Sequence, residues 1–521
     1  MLLGRGSRAP GPRHPRRPRP PGRRRRALGR RPRAERGTRR VPGRARAGRA
    51  RARGVRNWTL ASVAAAIAAG RLSALEVTEA CLDRIRRLDP RLRAFITVDE
   101  DGARRTARAL DDERARGRRR GPLHGVPVAV KDLCYLPGLP TSCGTRTREY
   151  FVAPRPCTAA RRLLEAGAVL LGKLNMTELA LGPFGDNPHH GDVQNPWRPG
   201  HCAGGSSSGS GAAVAAGLVF GAIGTDTGGS IRLPAACCGV VGIKPTYGRV
   251  SRTGVMPLSW STDHVGPLAR TVEDAALLLA AMAGWDPADP TSSRRPVPDL
   301  LTPLGRGVAG LRVGVPENYY FEGVAGEVAA AVEAAVRRLE ALGARVVALR
   351  LPDPTPMVDA ATIIARAESA AVHHRIARER PEELGPAVRA RLELGFHISA
   401  CDYLQACRLR ARLARAFVDD VFREVDVVAT PTTPEPAPPY KEATAGALRD
   451  VVTRMTAFSR LTRPWNGLGL PVVSVPCGFS GAGLPIGLQL AGRPFDEATV
   501  LRVAAAYERA TDWVTRRPPL D

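Results

Sequence analysis

Residues 204–230 read GGSSSGSGAAVAAGLVFGAIGTDTGGS, and this stretch decides how the rest of the chain folds. Glycines and serines lead into an Ala-rich piece and an apolar piece, and a second glycine turn carries one more serine. Glycine permits backbone angles that other residues avoid, and the apolar run GLVFGAIG is typical of a buried strand. The stretch therefore predicts a loop, a helix, a buried strand and a loop, with serines on tight turns at both ends of one rigid unit.

Two other interpretations of the run GGSSSGSG are weaker. A flexible linker has this composition, but a linker separates domains, whereas this run leads directly into the apolar piece AAVAAGLVFGAIG. A phosphate-binding loop would follow the pattern GxxxxGK[ST], and no lysine follows these glycines. The run is therefore predicted to belong to a folded core.

Helical and strand patterns alternate from about Trp58 to the end of the chain. The apolar, β-branched run VPVAV predicts a buried strand with Lys131 and Asp132 at its end. Other predicted strands are RAFITV, AVLLG, LRVGV, ARVVAL, VDVVATP, PVVSVPCG and IGLQLAG, and a short helix is predicted over NMTELAL. Such alternation is typical of an α/β fold, in which a large mixed central β-sheet is covered by helices on both faces. No apolar stretch has the roughly 18 residues of a membrane span.

The formal net charge of +29 is concentrated near the N-terminus. Residues 1–56 contain 22 Arg and one acidic residue, Glu35, and are otherwise mainly Pro, Gly and Ala. Such a segment cannot bury enough apolar surface to offset its ordering entropy, so we expect a disordered arm. The arm is either an electrostatic contact for nucleic acid or another anionic surface, or a dispensable tail or wrongly chosen start. We favour the second interpretation, because nothing in the arm indicates a specific contact.

The ten cysteines and nine histidines show no metal-binding pattern. The cysteines lack CxxC spacing, and the adjacent residues His189 and His190 direct their side chains apart. Cys237 and Cys238 are interpreted as small core residues rather than a disulfide. Because no export signal accompanies them, the thiols indicate a reduced, cytoplasmic protein.

Ser230, in the sequence TGGS, is the candidate nucleophile. A serine hydroxyl needs a base within hydrogen-bond reach and donors for the developing oxyanion, and the amides of a glycine turn can supply those donors. A Ser-His-Asp triad is not indicated, because no G-x-S-x-G elbow surrounds Ser230. Lys131 is the leading candidate base, since burial lowers the pKa of an amine. Taken alone, however, a lysine after a strand is more often a solvated edge residue.

Three blocks of the sequence resemble the amidase signature family. They are PVAVKD (127–132), GGSSSGS (204–210) and GTDTGGSIRLPAACCGVVGIKPTYGRVS (224–251), and the resemblance extends from about Trp58 to the C-terminus. It implies a single catalytic domain over residues 57–521, although length alone suggests about three domains. It also implies an amidase that cleaves a carboxamide carbon–nitrogen bond and needs no cofactor.

The family's catalytic elements are a lysine, a serine after a cis peptide bond and a nucleophilic serine, which correspond here to Lys131, Ser206 and Ser230. The implied mechanism passes a proton from Ser230 through Ser206 to neutral Lys131 and forms an acyl-enzyme that water hydrolyses. The implied oxyanion donors are the backbone amides of Thr227, Gly228, Gly229 and Ser230.

Three further residues are expected to support this machinery. Ser207 is expected to form a hydrogen bond with Lys131. Asp226 and Arg232 flank the nucleophile and are expected to form an ion pair, for which a purely structural role is at least as good an interpretation. Ser208 and Ser210 are interpreted only as small residues that open a helix.

The family includes free hydrolases and the glutaminase (A) subunit of tRNA-dependent amidotransferases. In the latter protein, an Asp before the GLPVVSVPCG-like block pairs with the substrate α-amino group, and the residue aligned here is Ser459. Arg391 resembles the arginine that binds the substrate carboxylate, although its motif also occurs in ordinary amidases. We therefore predict a stand-alone amidase for a small-molecule amide. The alternatives are the glutaminase subunit of such an amidotransferase and a nucleic-acid-binding protein that acts through its arm, and a homodimer is left open.

Overall fold

The computed structural model describes residues 57–520, and the predicted arm at residues 1–56 lies outside this range. In the described part, the strands are β1 (Phe95–Val98), β2 (Pro127–Lys131), β3 (Val169–Leu174), β4 (Gly221–Asp226), β5 (Val241–Lys244), β6 (His264–Ala269), β7 (Arg312–Pro316), β8 (Arg345–Leu349), β9 (Val427–Pro431), β10 (Val472–Phe479) and β11 (Pro485–Gly492). The α-helices are α1 (Leu60–Ala68), α2 (Ala74–Leu92), α3 (Glu100–Ala115), α4 (Thr158–Glu165), α5 (Ser208–Ala215), α6 (Arg232–Cys238), α7 (Val272–Met282), α8 (Gly326–Ala341), α9 (Thr355–Val372), α10 (His374–Glu379), α11 (Pro386–Gly395), α12 (Ala400–Glu424), α13 (Tyr440–Ala443), α14 (Leu448–Phe458), α15 (Arg463–Leu468) and α16 (Glu497–Arg509).

The strands form one eleven-stranded sheet in the order β1-β3-β2-β4-β6-β5-β10-β11-β9-β7-β8. β2 pairs in parallel with β3 and β4, and β7 pairs in parallel with β8 and β9. The neighbours from β4 to β9 in this order pair antiparallel. Every residue of β2, β4, β9 and β11 is buried, as expected for strands covered on both faces. The predicted α/β fold with a mixed central sheet is confirmed.

The helices that cover the sheet form two layers. In one layer, α5 and α6 pack on each other, α5 packs on β4, and α6 packs on β5, β10 and β11. In the other, α16 packs on α7 and α8 and on the strands β10 and β11. None of the helices in the described residues is long and apolar enough to cross a membrane.

Residues 204–230 fold in the predicted order. The Gly/Ser run leads into α5, the apolar run continues into β4, and the second glycine turn precedes α6. β4 lies between β2 and β6 in the sheet. Because β2 and β4 run parallel, with Val130 opposite Ile223, the carboxyl ends of both strands meet at one edge of the sheet. Lys131, at the end of β2, therefore lies close to the second glycine turn, which follows β4.

The helix predicted over NMTELAL is wrong. The structure has only a 3₁₀ turn at Glu178–Ala180, in which Leu179 and Ala180 have positive φ angles of 48° and 60°. Main-chain groups here bond to distant segments, with the Thr177 amide donating to the Ser206 carbonyl at 3.1 Å and the Leu179 amide donating to the Cys143 carbonyl at 2.9 Å. Tertiary contacts therefore override the local helical pattern.

Candidate active site

Lys131 is the last residue of β2, and its side chain is fully buried. Its Nζ atom lies 2.7 Å from Ser206 Oγ and 2.9 Å from Thr225 Oγ1. Burial lowers the pKa of Lys131 to about 7, against the smaller opposing influence of nearby acidic groups such as Asp226. A large fraction of the amine is therefore neutral near pH 7 and can accept a proton.

Asp132, the next residue along the chain, is paired with another lysine. Its Oδ1 atom lies 3.1 Å from Lys173 Nζ, and both side chains are almost completely buried. Its Oδ2 atom accepts hydrogen bonds from the amide and the hydroxyl of Ser142. The carboxylate closest in sequence to Lys131 is thus neutralised by a different cation.

Ser206 is held by its backbone on both sides. The peptide bond between Gly205 and Ser206 is cis, as the resemblance implied. The Gly205 amide donates to the Pro183 carbonyl at 2.6 Å, and the Ser207 amide donates to the Ser230 carbonyl at 3.2 Å. A side chain at Gly205 would also meet the Gly182 carbonyl oxygen at 2.6 Å. The Gly/Ser run is therefore a fixed part of the core and not a linker.

Ser230 lies in the turn between β4 and α6, and the carboxylate of Asp226 organises this turn. Asp226 Oδ1 accepts from the Gly229 amide at 2.7 Å, and Oδ2 accepts from the Ile231 amide at 3.1 Å. The residues before and after Ser230 are thus bound to one carboxylate. Ser230 itself is 9% exposed and lines a cavity.

The predicted ion pair between Asp226 and Arg232 is present and fully buried. Arg232 Nε donates to Asp226 Oδ2 and Arg232 Nη2 donates to Oδ1, each at 3.0 Å. Arg232 Nη1 also donates to Gln489 Oε1 at 3.1 Å, and Arg232 Nη2 also donates to Asn466 Oδ1 at 2.7 Å. Although burial alone would raise the pKa of Asp226, the charge and hydrogen bonds of Arg232 hold it well below its usual range.

The predicted oxyanion donors differ in their surroundings. Thr227, Gly228 and Ser230 line the cavity. The peptide group between Gly228 and Gly229 is held at both ends, because Thr462 Oγ1 donates to the Gly228 carbonyl at 2.7 Å and the Gly229 amide donates to Asp226. The Gly229 amide is therefore already bonded, and a role for it at an oxyanion would require it to share its proton.

The expectation for Ser207 needs correction. Its hydroxyl donates to the Thr225 carbonyl at 3.1 Å and accepts from the Thr225 amide at 3.2 Å, so it bonds the end of β4 rather than Lys131. The position beside Lys131 is taken by the Thr225 hydroxyl, which no sequence motif indicated. Only the pairing of β2 with β4 brings Thr225 to Lys131. Ser210, interpreted as a small residue, donates to the Ile223 carbonyl at 3.0 Å.

The cavity beside Ser230 encloses about 110 Å³. Ser459 and Arg391, the two residues considered for substrate binding, both line it. Ser459 Oγ donates to the Met455 carbonyl at 2.8 Å and accepts from Arg463 Nε at 2.9 Å. Within residues 57–520, no group of three or more His, Cys, Asp or Glu side chains is arranged to hold a metal ion.

Most of the chain is similar in sequence and in structure to known amidases and to amidotransferase A subunits. Residues 76–501 match the family model described as Amidase. An amidase from Pseudomonas putida is 46% identical over 470 residues, which cover 89% of this chain and 98% of that protein. The A subunit of the glutamyl-tRNA(Gln) amidotransferase from Chloroflexus aggregans is 44% identical over 484 residues, with the same coverage of 89% and 98%. The crystal structure of a peptide amidase from Stenotrophomonas maltophilia superposes with a TM-score of 0.78 at 34% identity, covering 89% of this chain and 98% of that one.

Proposed function

The chain belongs to the amidase signature family and hydrolyses carbon–nitrogen bonds of carboxamides, and we propose that it does so through Lys131, Ser206 and Ser230 by way of an acyl-enzyme. One observation carries this proposal. The Nζ atom of a buried lysine, whose pKa is lowered to about 7, lies 2.7 Å from the hydroxyl of Ser206. A large fraction of such an amine is neutral near pH 7 and can act as a base, and we infer that Ser206 passes the proton between it and Ser230.

Acylation begins when neutral Lys131 accepts the proton of Ser206, which accepts the proton of Ser230 as Ser230 Oγ attacks the amide carbon. The resulting tetrahedral oxyanion is stabilised by amides of the turn that lines the cavity, with Thr227, Gly228 and Ser230 the best placed. The proton then returns through Ser206 to the nitrogen of the leaving amine, and the carbon–nitrogen bond breaks.

Deacylation uses the same relay with water in place of Ser230. Lys131 and Ser206 remove a proton from a water molecule, and the hydroxide formed attacks the ester carbonyl. The ester bond to Ser230 breaks, Ser230 recovers its proton, and the carboxylic acid leaves. Asp226 and Arg232 act as positioning residues in both halves, because they hold the turn that carries Ser230.

We propose a stand-alone amidase rather than an amidotransferase subunit, even though relatives of both kinds are similar to this chain. The neutral side chain of Ser459 supports this choice. It lines the cavity and accepts a hydrogen bond from Arg463, so it provides no negative charge for the α-ammonium group of glutamine. A cytoplasmic location and a homodimer stay predictions.

The catalytic assignment is tested by ammonia release from a panel of aliphatic, aryl and amino-acid amides. Ser230→Ala and Lys131→Met are each expected to lower kcat by about 10⁴-fold or more. Ser62→Ala, which removes an exposed hydroxyl in α1, is the matched control and is expected to retain full activity. Labelling by phenylmethylsulfonyl fluoride should place one sulfonyl group on Ser230. Retention of more than a tenth of the activity by Ser230→Ala would overturn the assignment.

The amidotransferase alternative has a separate test. It requires that ammonia release from free glutamine be strongly increased by partner subunits and glutamyl-tRNA. We expect slow release from glutamine and no increase. A large increase would replace the stand-alone amidase with the amidotransferase function while leaving the catalytic assignment in place.

A further inference from the structure

A turn at residues 177–183 holds the backbone around Ser206. The Thr177 amide donates to the Ser206 carbonyl at 3.1 Å. On the other side of the serine, the Gly205 amide donates to the Pro183 carbonyl at 2.6 Å. Part of the same turn also lines the cavity beside the candidate nucleophile. The placement of the Ser206 hydroxyl therefore depends on the conformation of this turn.

The conformation of this turn is not the one that its own sequence favours. Leu179 and Ala180 have φ angles of 48° and 60°, in the left-handed region that residues with a Cβ atom rarely adopt. The sequence NMTELAL instead has a helical pattern. Backbone of this kind persists only where the surrounding structure holds it, so contacts from outside the turn are required.

The carboxylate of Glu178 makes two such contacts. Glu178 lies in the turn and is 1% exposed. Its Oε1 atom lies 2.7 Å from His189 Nε2, and its Oε2 atom accepts from the Gly385 amide at 3.0 Å. A carboxylate accepts hydrogen bonds, and an imidazole N–H and a backbone amide donate them. The turn is thus bonded at one side chain to two separate segments of the chain.

The loop that carries His189 is itself fixed. It has the sequence NPHHG (187–191). Asn187 Oδ1 accepts from the amides of His189 and His190, at 2.8 Å and 2.9 Å. Asn187 Nδ2 donates to the Met176 carbonyl at 2.7 Å, directly before the turn. The imidazole beside the carboxylate therefore has a fixed position.

The bond to Gly385 connects the turn to α11, which begins at the next residue. A Cβ atom at residue 385 would lie 2.6 Å from Glu178 Oε2, so a glycine allows this close approach. α11 also carries Arg391, which lines the cavity beside Ser230. One buried carboxylate thus links the turn that holds the relay serine to a helix of the cavity wall.

We propose that Glu178 is a positioning residue, which keeps Ser206 in place through the turn at residues 177–183. It does so through its hydrogen bonds to His189 and to the amide of Gly385. Its side chain does not line the cavity with the nucleophile, so it acts through the turn and not on the substrate. This inference rests on the proposed function, because Ser206 needs a fixed position only if it passes a proton.

The test measures the rate and the final extent of Ser230 labelling by phenylmethylsulfonyl fluoride in Glu178→Ala. The extent counts the folded active sites, whereas the rate reports on the relay that activates the nucleophile. We expect full extent, with the labelling rate and kcat for a small amide each lowered about 10- to 100-fold and a smaller change in KM. A purely structural role would reduce the extent and leave kcat per labelled site unchanged.

Glu178→Gln is the conservative variant. The amide oxygen of Gln can accept from the Gly385 amide, and its NH₂ group can donate to unprotonated His189 Nε2. Both hydrogen bonds are kept, so we expect kcat to stay within about threefold of the wild type. His189→Ala removes one of the two partners of Glu178. Because the His189 side chain is 13% exposed, this variant is expected to fold, with kcat between those of the other two.

Asp111→Ala is the matched control. The carboxylate of Asp111 accepts in the same way from amides at the start of a helix, those of Ala74 and Leu75 in α2, at 2.8 Å and 3.0 Å. None of these residues lines the cavity beside Ser230. We expect a lower temperature of thermal unfolding, with an unchanged labelling rate and unchanged kcat.

Three outcomes overturn the inference. The first is wild-type kcat per labelled site in Glu178→Ala and His189→Ala, and His189→Ala alone decides this point if Glu178→Ala does not fold. The second is a Glu178→Gln variant that is no faster than Glu178→Ala. The third is an equal loss of kcat in Asp111→Ala.

Failure of the proposed function is distinguishable from failure of this inference. If the wild type is labelled at Ser230 and cleaves amides, but the Glu178 and His189 variants do so equally fast, only the inference fails. If Ser230 of the wild type is not labelled and no amide is cleaved, the proposed function fails as well.

Discussion

Lys131 owes its basicity to its position at the end of a buried strand. Burial lowers the pKa of its amine, and the neighbouring carboxylate of Asp132 is bonded to Lys173. The hydroxyls of Ser206 and Thr225 are neutral partners that position the amine without neutralising a charge. A lysine with a carboxylate partner would remain protonated and could not act as a base.

This assignment predicts the pH dependence of the reaction. The neutral amine is the active form, so kcat/KM for an uncharged amide should be low below the pKa of Lys131, rise through about pH 7 and level off above pH 8. An uncharged amide is used so that only the enzyme titrates. A flat profile between pH 5.5 and 8.5, or a midpoint above pH 9, would contradict the role of Lys131.

The hydroxyl of Thr225 is predicted to raise the pKa of Lys131. Thr225→Val removes the hydroxyl that accepts from Lys131 Nζ at 2.9 Å while it keeps the shape of the side chain. We expect kcat to fall about tenfold, and the acidic limb of the pH profile to move to lower pH, because a lost acceptor destabilises the ammonium form. Thr225→Ser keeps a hydroxyl and should retain most of the activity. If the acidic limb of Thr225→Val stayed at the pH of the wild type, the hydroxyl of Thr225 would have no influence on the pKa of Lys131.

Among the elements, the parallel pairing of β2 with β3 and β4 gives Lys131 and Asp132 their different partners. All three strands end at the same edge of the sheet, where Lys131 and Asp132 meet groups from both neighbours. β3 supplies Lys173, which pairs with Asp132, and β4 supplies Thr225, which bonds Lys131. We therefore expect separate roles for the two lysines, with Lys173 as the counter-ion of Asp132 and Lys131 as the proposed base.

The buried pair between these strand ends is predicted to be important for stability. Lys173→Met leaves the Asp132 carboxylate buried without its cation, which we expect to lower the free energy of unfolding by about 3–5 kcal/mol. Urea denaturation measures this change. The control is Arg161→Met, which breaks an exposed pair with Glu165 and should cost less than about 0.5 kcal/mol. Equal effects of the two substitutions would refute the prediction.

At the scale of the whole molecule, the candidate site is built within one sheet and its covering helices. Of the residues proposed for catalysis, Lys131 ends β2, Ser206 lies in the loop before α5, and Ser230 lies in the turn after β4. Arg366, Arg391 and Arg463, which line the cavity beside Ser230, come from helices that follow β8 in the chain. The site thus combines an edge of the sheet from one part of the sequence with a helical wall from another. The packing of α9, α11 and α15 brings Arg366, Arg391 and Arg463 to the cavity beside Ser230.

Deletion of residues 1–55 is predicted to leave catalysis unchanged. Every residue proposed here for catalysis or substrate binding lies between Lys131 and Arg463, so kcat and KM for a small amide should match those of the full chain. Retention on immobilised nucleic acid, measured at increasing salt, reports on the arm separately. Loss of turnover would contradict the prediction, whereas unchanged turnover with lost, salt-sensitive retention would support a binding role for the arm.

Sequence patterns were enough to predict the family, the α/β class and the order of elements within residues 204–230. These follow from local signals, because glycine turns, apolar runs and family blocks are properties of adjacent residues. The residues proposed for the relay were also named from these blocks. Local pattern failed over NMTELAL, where bonds to Ser206 and Cys143 replace the hydrogen bonds of a helix.

The side chains that surround the named residues follow instead from the three-dimensional packing of the chain. It placed Thr225 rather than Ser207 beside Lys131, bonded the Gly229 amide to Asp226, and brought three arginines together beside Ser230. These contacts join residues far apart in the chain or on different strands and helices. No local pattern specifies them, because strand register and helix packing, which depend on the whole core, set the distances between such groups.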